Sequence, residues 1–266
     1  KLAWADLVLP VIRLAREGFA VTPRFVEAVA SQNDWDKTPS AAAYFLGATG
    51  EPWPVGHVLR NPALAETLEA LAADPDALNT GPIAADIAAA VQGFAANPGG
   101  MTLADLAGYE PKKRTVVCGT YLAFRICGMP PPSSGPLTVL MILGLGERLG
   151  LQHQDPASAA WAHLFAEASR VAFADRDRYM ADPDFVPQPV AGLLNPGYLD
   201  GRAALISRDA ALGKAEAGVP PERQGRLDGA PHAGGIEAGT SHLSVVDRAG
   251  NVVSMTTTVE AAFGSH

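Results

Sequence analysis

The beginning of the chain alternates apolar and polar positions with the period of an amphipathic helix. The i, i+3, i+4 spacing that puts side chains on one helix face is followed by Leu2, Leu7, Val8, Val11, Ile12 and Leu14. Gly18 follows, and glycine is common where helices end. The pattern predicts a helix that ends at Gly18. Because the periodicity is already under way at residue 1, we expect the chain to be part of a longer protein.

Capping signals predict more helices in the first hundred residues. Asn61 is suited to an N-cap and Pro62 to the first helical position, where its missing N–H costs nothing. Residues 80–97 are rich in alanine, with larger apolar residues along one face. This stripe suits either a partner helix or ordinary core packing, and we favour core packing. Thr102 and Asp105 have the spacing of a capping box.

After residue 112 the pattern changes to short runs of β-branched and aromatic residues. Two such runs around a turn predict a β-hairpin near 113–128. The prolines at 130–132 predict a stiff loop, since proline suits neither a central strand nor a helix interior. Ser133–Ser134–Gly135 fits an anion site at a helix N-terminus or a simple capping turn. Helices are expected at about 137–149 and 156–180, with a short one near 195–206.

Two segments between residues 170 and 240 lack a regular pattern. Asp175, Asp177, Asp182 and Asp184 are close in sequence, but the glycine and terminal glutamate of a calcium loop are missing. We therefore interpret this segment as a charged helix end that neutralises itself, and expect no metal ion. Residues 209–239 are rich in Gly, Ala, Pro and charge, which predicts a flexible linker.

The last pattern along the chain predicts a second hairpin, with strands at 241–247 and 251–259. The loop Arg248-Ala249-Gly250 fits a three-residue turn with glycine at the left-handed position. Closing that loop between Asp247 and Asn251 places Thr240 directly opposite Thr258. Facing threonines are common in sheets, so the pair alone is explained by strand structure.

Composition limits the class of protein. The chain has 266 residues, of which 48% are hydrophobic and 18% charged, and this is typical of a soluble globular protein. A net charge of −8 without a run of Lys or Arg argues against nucleic acid or an anionic membrane as a partner. No apolar stretch reaches the ~18 residues of a membrane helix. Cys118 and Cys127 flank a predicted turn; a disulfide is possible there, but we favour two half-buried thiols.

Thr240 is also a candidate nucleophile. A threonine hydroxyl needs an adjacent base, and an N-terminal threonine carries its own base in the α-amine, with a pKa of about 7.7–8.0. Cleavage after Gly239 would create that amine, and the unbranched Gly239 leaves its carbonyl open to attack by the Thr240 hydroxyl. Thr258 across the hairpin would hydrogen-bond the nucleophilic oxygen and hold its rotamer.

Several segments resemble the γ-glutamyltransferase family of N-terminal-nucleophile hydrolases. They are MTLADLAGYEP, MPPPSSG, FAEASRVAFADRDRYMADPDFVPQPVAGLL and TSHLSVVDRAGNVVSMTTTVEAAFGS. The resemblance runs over nearly the whole chain, and its last segment contains the processing site. It implies an α+β fold: the helix-rich part of an αββα sandwich, incomplete in this chain. Residues 1–208 then correspond to most of the large subunit, and 240–266 to the first hairpin of the small subunit.

The resemblance also assigns roles to individual residues. It implies cleavage between Gly239 and Thr240, with Thr240 as the nucleophile and Thr258 as the residue that positions it. Glu260 matches a position that binds the α-amino group of a glutamyl substrate, where a carboxylate suits an ammonium. The implied partners are a small γ-glutamyl amide, such as glutathione, and a water or amine acceptor. After processing, the large and small subunits stay associated, and no cofactor is expected.

Other residues of the family site have no counterpart here. The carboxylate-binding arginine lies before the matched region, and the second amine-binding aspartate, a serine pair and the oxyanion-hole glycines lie after it. Loss of one oxyanion donor typically costs about 10²–10³ in rate. Residues 1–266 alone are therefore expected to be inactive. The alternatives are a related acylase and a non-catalytic helical fragment that interacts with or supports other proteins.

Overall fold

The computed structural model describes residues 2–32, 35, 38–95, 97–221, 239–259 and 263–264. It forms two compact units. The first unit contains residues 1–111 and 235–266, and the second contains residues 112–234. Helices and short strand pairs alternate along both units. This mixed content agrees with the α+β class and with the helix-rich character predicted from the sequence.

The first unit is built on two neighbouring helices, α1 and α4. Its helices are α1 (Trp4–Glu17), α2 (Pro23–Ala30), α3 (Pro39–Phe45), α4 (Pro62–Ala73), α5 (Gly81–Gly93) and α6 (Leu103–Ala107). Val8, Ile12 and Ala15 of α1 pack on the fully buried Ala65 of α4. The predicted helix is confirmed, but its buried face was identified only in part. Val8 and Ile12 are buried as predicted, whereas Ala15 is buried in place of the other predicted residues, which are each at least 48% exposed: Leu2, Leu7, Val11 and Leu14.

Local signals set the helix ends of this unit as predicted. Gly18 ends α1 with φ +85°, a conformation that side chains rarely adopt. The Asn61 side chain accepts a hydrogen bond from the Leu64 N–H, with Pro62 at the start of α4. Thr102 and Asp105 form both hydrogen bonds of a capping box at α6. These contacts join residues three positions apart, so they can be recognised from sequence alone.

The sequence interpretation missed a short strand pair in this helical part. Strands β1 (Phe19–Ala20) and β2 (Val58–Leu59) are antiparallel, with Phe19 opposite Leu59. The pair joins segments about forty residues apart in the chain, and each strand has only two residues. No alternation of apolar and polar positions is detectable over so short a run.

The second unit packs its helices around one apolar core beside a hairpin. Its elements are β3 (Val117–Tyr121), β4 (Phe124–Gly128), α7 (Gly135–Leu149), α8 (Ala159–Tyr179), α9 (Val190–Leu193) and α10 (Pro196–Ala203). Leu137, Met141 and Leu145 of α7 meet Leu164 and Val171 of α8, all at most 2% exposed. The predicted helices at 137–149 and 156–180 are confirmed to within a few residues.

The segment that follows α10 is packed rather than extended, which corrects part of the linker prediction. The Leu212 N–H donates to the buried Glu167 carboxylate at 2.9 Å, and the Gly218 N–H donates to the buried Asp175 carboxylate at 2.7 Å. Pro220 is also fully buried. Residues 209–221 therefore contact α8, where two buried carboxylates accept hydrogen bonds from backbone N–H groups of this segment. The remainder of the predicted linker up to 238 lies outside the described residues.

The preference for two thiols at Cys118 and Cys127 is wrong, because the two residues form a disulfide. They are directly opposite each other in the antiparallel pair β3–β4, with Cα atoms 4.1 Å apart. Such a spacing is that of a pair without backbone hydrogen bonds between its members, where side chains come closest. The hairpin was predicted, but the register that brings the sulfurs together was not.

The aspartates near the end of α8 pair with arginines from elsewhere, apart from one local pair. Arg176 contacts Asp177, as a self-neutralising helix end requires. Arg114, however, binds both Asp182 and Asp184, and its hydrogen bond to Asp184 lowers the pKa of that carboxyl. Asp175 pairs with Arg202 inside the unit. Within the described ranges, no cluster of His, Cys, Asp and Glu has the arrangement of a metal site.

In the loop before α7, Ser134 contacts a neighbouring helix with its side chain and the first turn of α7 with its carbonyl. The Ser134 hydroxyl accepts a hydrogen bond from Arg176 Nε at 3.1 Å, and its carbonyl accepts one from the Thr138 hydroxyl. The Ser134 side chain makes no capping hydrogen bond to the helix. Ser134 thus links this loop to α8.

Among the described helices, none is long and apolar enough to cross a membrane.

Candidate active site on the terminal hairpin

The hairpin predicted at the end of the chain forms with the predicted register. Strand β5 (Thr240–Val246) is antiparallel to β6 (Val252–Thr258), with Val246 opposite Val252 at the loop and Thr240 opposite Thr258 at the open end. Gly250 has φ +81°, the left-handed conformation that the sequence required of it. The loop length therefore sets which residues face each other seven positions away.

The loop is held by the Asp247 side chain. Its carboxylate accepts hydrogen bonds from the backbone N–H groups of Ala249 and Asn251, each at 2.9 Å, and from the Asn251 side-chain amide at 2.7 Å. These donors lower the pKa of Asp247, the Asn251 side chain contributing most. A carboxylate that accepts three donors keeps the turn closed and so keeps the strands in register.

The two threonines at the open end are joined by their hydroxyl groups. Thr240 donates a hydrogen bond to the Thr258 hydroxyl oxygen, with the oxygens 2.7 Å apart. Just outside this pair, the Val259 N–H donates to the Gly239 carbonyl oxygen at 3.1 Å. The Gly239–Thr240 peptide is thus fixed on both sides: its carbonyl is polarised by an amide, and the following hydroxyl is oriented.

A row of polar groups continues from the threonine pair along the same hairpin face. His242 Nδ1 lies 2.7 Å from the Thr256 hydroxyl, and its Nε2 lies 3.1 Å from the Ser254 hydroxyl and 3.3 Å from that of Ser244. Sequence reasoning missed this row. The signal was present, because three alternating residues in each strand carry a hydroxyl or imidazole, and alternating residues share one face.

The opposite face of the hairpin is exposed, with the pair Ser241–Thr257 at its open end and apolar pairs nearer the loop. Leu243 and Val245 of β5 pair with Met255 and Val253 of β6, and each of the four is between 41% and 55% exposed. The hairpin therefore has one mainly polar face, which contains the threonine pair, and one mainly apolar face.

The chain just beyond the hairpin returns to the helices of the first unit. The centroid of the Phe263 ring lies 4.7 Å from the ring centroid of Phe45, 5.7 Å from that of Trp35 and 6.4 Å from that of Phe25. Phe263 therefore packs with the aromatic side chains of the first unit. Glu260, the predicted amine-binding residue, lies between these points but outside the described residues.

Comparison with known proteins identifies the family to which the chain belongs. A family model described as gamma-glutamyltranspeptidase matches residues 1–266. The chain belongs to the gamma-glutamyltranspeptidase family. This confirms the resemblance drawn from the sequence, and it extends over the full chain rather than the processing segment alone.

Two curated relatives bear different functional names. The chain is 34% identical to a glutathione hydrolase proenzyme of Bacillus subtilis over 268 residues, which cover 98% of the chain and 44% of that protein. It is 36% identical to an acylase ACY 1 proenzyme of Pseudomonas sp. strain SE83, over 99% of the chain and 44% of that protein. The chain thus spans less than half the length of the curated relatives it matches.

A solved structure supports the same family and the same fold. The Helicobacter pylori gamma-glutamyltranspeptidase superposes with a TM-score of 0.74 at 30% identity, covering 85% of this chain and 65% of that one. Family members of this kind are N-terminal-nucleophile hydrolases, so the described helices and strands are part of that α+β fold. In this member of the family, the threonine pair joins strands β5 and β6.

Proposed function

We propose that the protein to which this chain belongs transfers or hydrolyses γ-glutamyl groups of small amides such as glutathione, with Thr240 as the nucleophile. The observation that carries the proposal is the 2.7 Å hydrogen bond between the Thr240 and Thr258 hydroxyls, next to a glycine carbonyl that also accepts a hydrogen bond. Family membership adds independent support.

Processing would come first, because Thr240 lacks a free amine until its peptide bond is cut. The Thr240 hydroxyl oxygen attacks the Gly239 carbonyl carbon, the peptide C–N bond breaks, and the acyl group moves from nitrogen to oxygen. Water then hydrolyses the ester and leaves a Gly239 carboxylate and a Thr240 α-amine. The Val259 N–H, 3.1 Å from the Gly239 oxygen, is placed to stabilise the negative charge that develops there.

The catalytic cycle uses the amine that processing creates. The α-amine accepts the Thr240 hydroxyl proton as the oxygen attacks the γ-carbonyl of the substrate. The amide C–N bond breaks, the proton passes to the leaving amine, and a γ-glutamyl ester remains on Thr240. Water releases glutamate from the ester, or an acceptor amine takes the glutamyl group. Thr258 keeps the attacking oxygen in one rotamer, and Glu260 binds the substrate α-ammonium.

An acylase acting on other amides is the second candidate. It is favoured by one observation: the Pseudomonas acylase matches this chain at 36% identity over the same extent as the glutathione hydrolase. Both candidates use the same threonine ester, so they differ in what is bound beside it. Glu260 distinguishes them, because only a substrate with a free α-ammonium gains from a carboxylate at that position.

Residues 1–266 alone are proposed to be inactive and uncut. Every residue of β5 and β6 is exposed, including both threonines. A single hairpin is marginal in water, and an attacking geometry is lost when its frame moves by about 1 Å. Intact-mass measurement after long incubation of these 266 residues should give one species. Two pieces that separate between Gly239 and Thr240 would contradict the proposal.

The proposed chemistry is tested by locating the ester in the full-length protein. The processed protein is mixed with a γ-glutamyl anilide, quenched in acid within one turnover, and digested for peptide mass analysis. We expect a small subunit whose first residue is Thr240, carrying one glutamyl group on that residue. An acyl group on any other residue, or a mature subunit that begins elsewhere, would refute Thr240 as the nucleophile.

A further inference from the structure

The second unit contains a disulfide whose surroundings give its two sulfurs different chemistry. Cys118 on β3 is half-buried, and Cys127 on β4 is exposed. Their side chains share one face of the hairpin with Thr120 and Arg125, which are the next pair on that face. The other face packs on helix α7, where Gly119 lies against the Leu140 side chain. The disulfide therefore lies on the face turned away from the core.

The hairpin is held by contacts that do not involve the sulfurs. Five residue pairs join β3 to β4, from Val117 opposite Gly128 to Tyr121 opposite Phe124. Both strands also contact α7, and Gly128 lies against the Pro136 ring. The loop that the disulfide closes is short, and short loops are those that a cross-link stabilises least. Opening the bond is thus compatible with an intact hairpin.

Arg125 makes the disulfide asymmetric. Its Nη2 donates to Cys118 Sγ at 3.6 Å, whereas Cys127 has no such donor among the described contacts. A guanidinium beside a sulfur favours the thiolate form, and a stabilised thiolate leaves a disulfide faster. The accessible sulfur is that of Cys127 and the better leaving group is the Cys118 thiolate. An incoming thiolate is therefore expected to attack Cys127 Sγ.

We propose that Cys118–Cys127 is a thiol-exchange site that takes up a small monothiol on Cys127. The incoming thiolate attacks Cys127 Sγ, a new S–S bond forms, and the Cys118–Cys127 bond breaks. The electron pair goes to Cys118, whose thiolate is held by Arg125. In the reverse step the Cys118 thiolate attacks Cys127 Sγ and expels the small thiol. Exposed disulfides are generally the labile ones, and this site works independently of the threonine chemistry.

2-Mercaptoethanol is the probe for the first test, because it is a small monothiol without a γ-glutamyl group and is therefore no substrate of the proposed threonine chemistry. The folded whole protein is incubated with excess 2-mercaptoethanol, quenched with acid, and mapped by peptide mass. We expect one 2-mercaptoethanol on Cys127 and a free thiol at Cys118. An internal bond that stays intact until denaturant is added would overturn the proposal, as would an adduct on Cys118.

Variants at position 125 test the direction of exchange. Arg125→Gln removes the charge beside Cys118 and should slow exchange about threefold, for a change of about one unit in leaving-group pKa. Arg125→Lys keeps the charge and should restore most of the rate. In the single-cysteine variants, alkylation against pH should give Cys118 a lower pKa than Cys127. Equal rates for Arg125→Gln and the parent, or equal pKa values for the two thiols, would show that Arg125 does not direct exchange.

Discussion

Thr240 and Thr258 face each other across the open end of the terminal hairpin, with their hydroxyl oxygens 2.7 Å apart. The residues between them in sequence form seven-residue strands and a loop closed by Asp247. A local turn thus orients a hydroxyl beside the Gly239 carbonyl. The predictions below separate this arrangement from an ordinary threonine pair in a sheet.

Replacing the nucleophile should stop both reactions of the full-length protein. Thr240→Ala removes the attacking oxygen, so we expect neither processing nor hydrolysis of a γ-glutamyl anilide. Thr240→Ser should keep part of both, because a primary hydroxyl can attack although it loses the methyl group that restricts χ1. Ser241→Ala, on the opposite hairpin face, is the matched control and should remain processed. Normal turnover by Thr240→Ala would remove Thr240 from the mechanism.

Removing the positioning hydroxyl should slow the reaction without unfolding the protein. Thr258→Ala deletes one hydrogen bond to Thr240, for which we expect a loss of about 1 kcal/mol, or about fivefold in kcat/KM. Thr257→Ala is the control, since Thr257 pairs with Ser241 on the other face. Steady-state kinetics of the two variants decide the matter. Equal rates for both would give Thr258 a purely structural role.

Glu260→Gln tests the substrate class. The change removes a negative charge but keeps the side-chain shape, so it should weaken substrates with a free α-ammonium and leave their N-acylated analogues nearly unchanged. The measurement is the ratio of kcat/KM for the two substrates in the parent and the variant. An unchanged ratio would argue against Glu260 as the amine-binding residue and in favour of the acylase alternative.

The buried pair Asp175–Arg202 should stabilise the second unit strongly. Both residues are buried, and Arg202 also donates to the carbonyls of Val171 and Glu216. Asp175→Asn leaves the Arg202 charge without its counter-ion, which should cost about 3–5 kcal/mol in the free energy of unfolding. Asp200→Asn, which breaks the exposed pair with Arg148, should cost under about 1 kcal/mol. Urea denaturation that gives equal losses for the two would contradict this assignment.

The hairpin loop should open in acid. The Asn251 side chain and the backbone N–H groups hold the pKa of Asp247 below its usual value. The stabilisation is therefore complete above an unfolded-state pKa of about 3.9 and is lost as the pH falls through the lower folded-state value. Amide chemical shifts of Ala249 and Asn251 should report that transition. Asp247→Asn should abolish it, and a midpoint at or above that of a free aspartate would contradict it.

Features formed by residues close together in sequence can be predicted from the residue types alone. Gly18, Asn61 and the Thr102–Asp105 box each act within one helical turn, so the residue types suffice. The register of the terminal hairpin is local for the same reason: a three-residue loop with glycine at the left-handed position allows one pairing, and Thr240 then faces Thr258.

Other features depend on which distant segments pack together, and only the tertiary structure decided them. The residues near Asp175 in sequence do not indicate its partners. These are Arg202, 27 positions later, and the Gly218 N–H, 43 positions later. Residues 209–221 have a linker's composition, yet buried carboxylates on α8 hold their backbone. A buried charge or N–H must find a partner wherever the fold provides one, because leaving it unpaired costs more than ordering the segment. Sequence patterns record local geometry; the pairing of buried polar groups is a property of the packed chain.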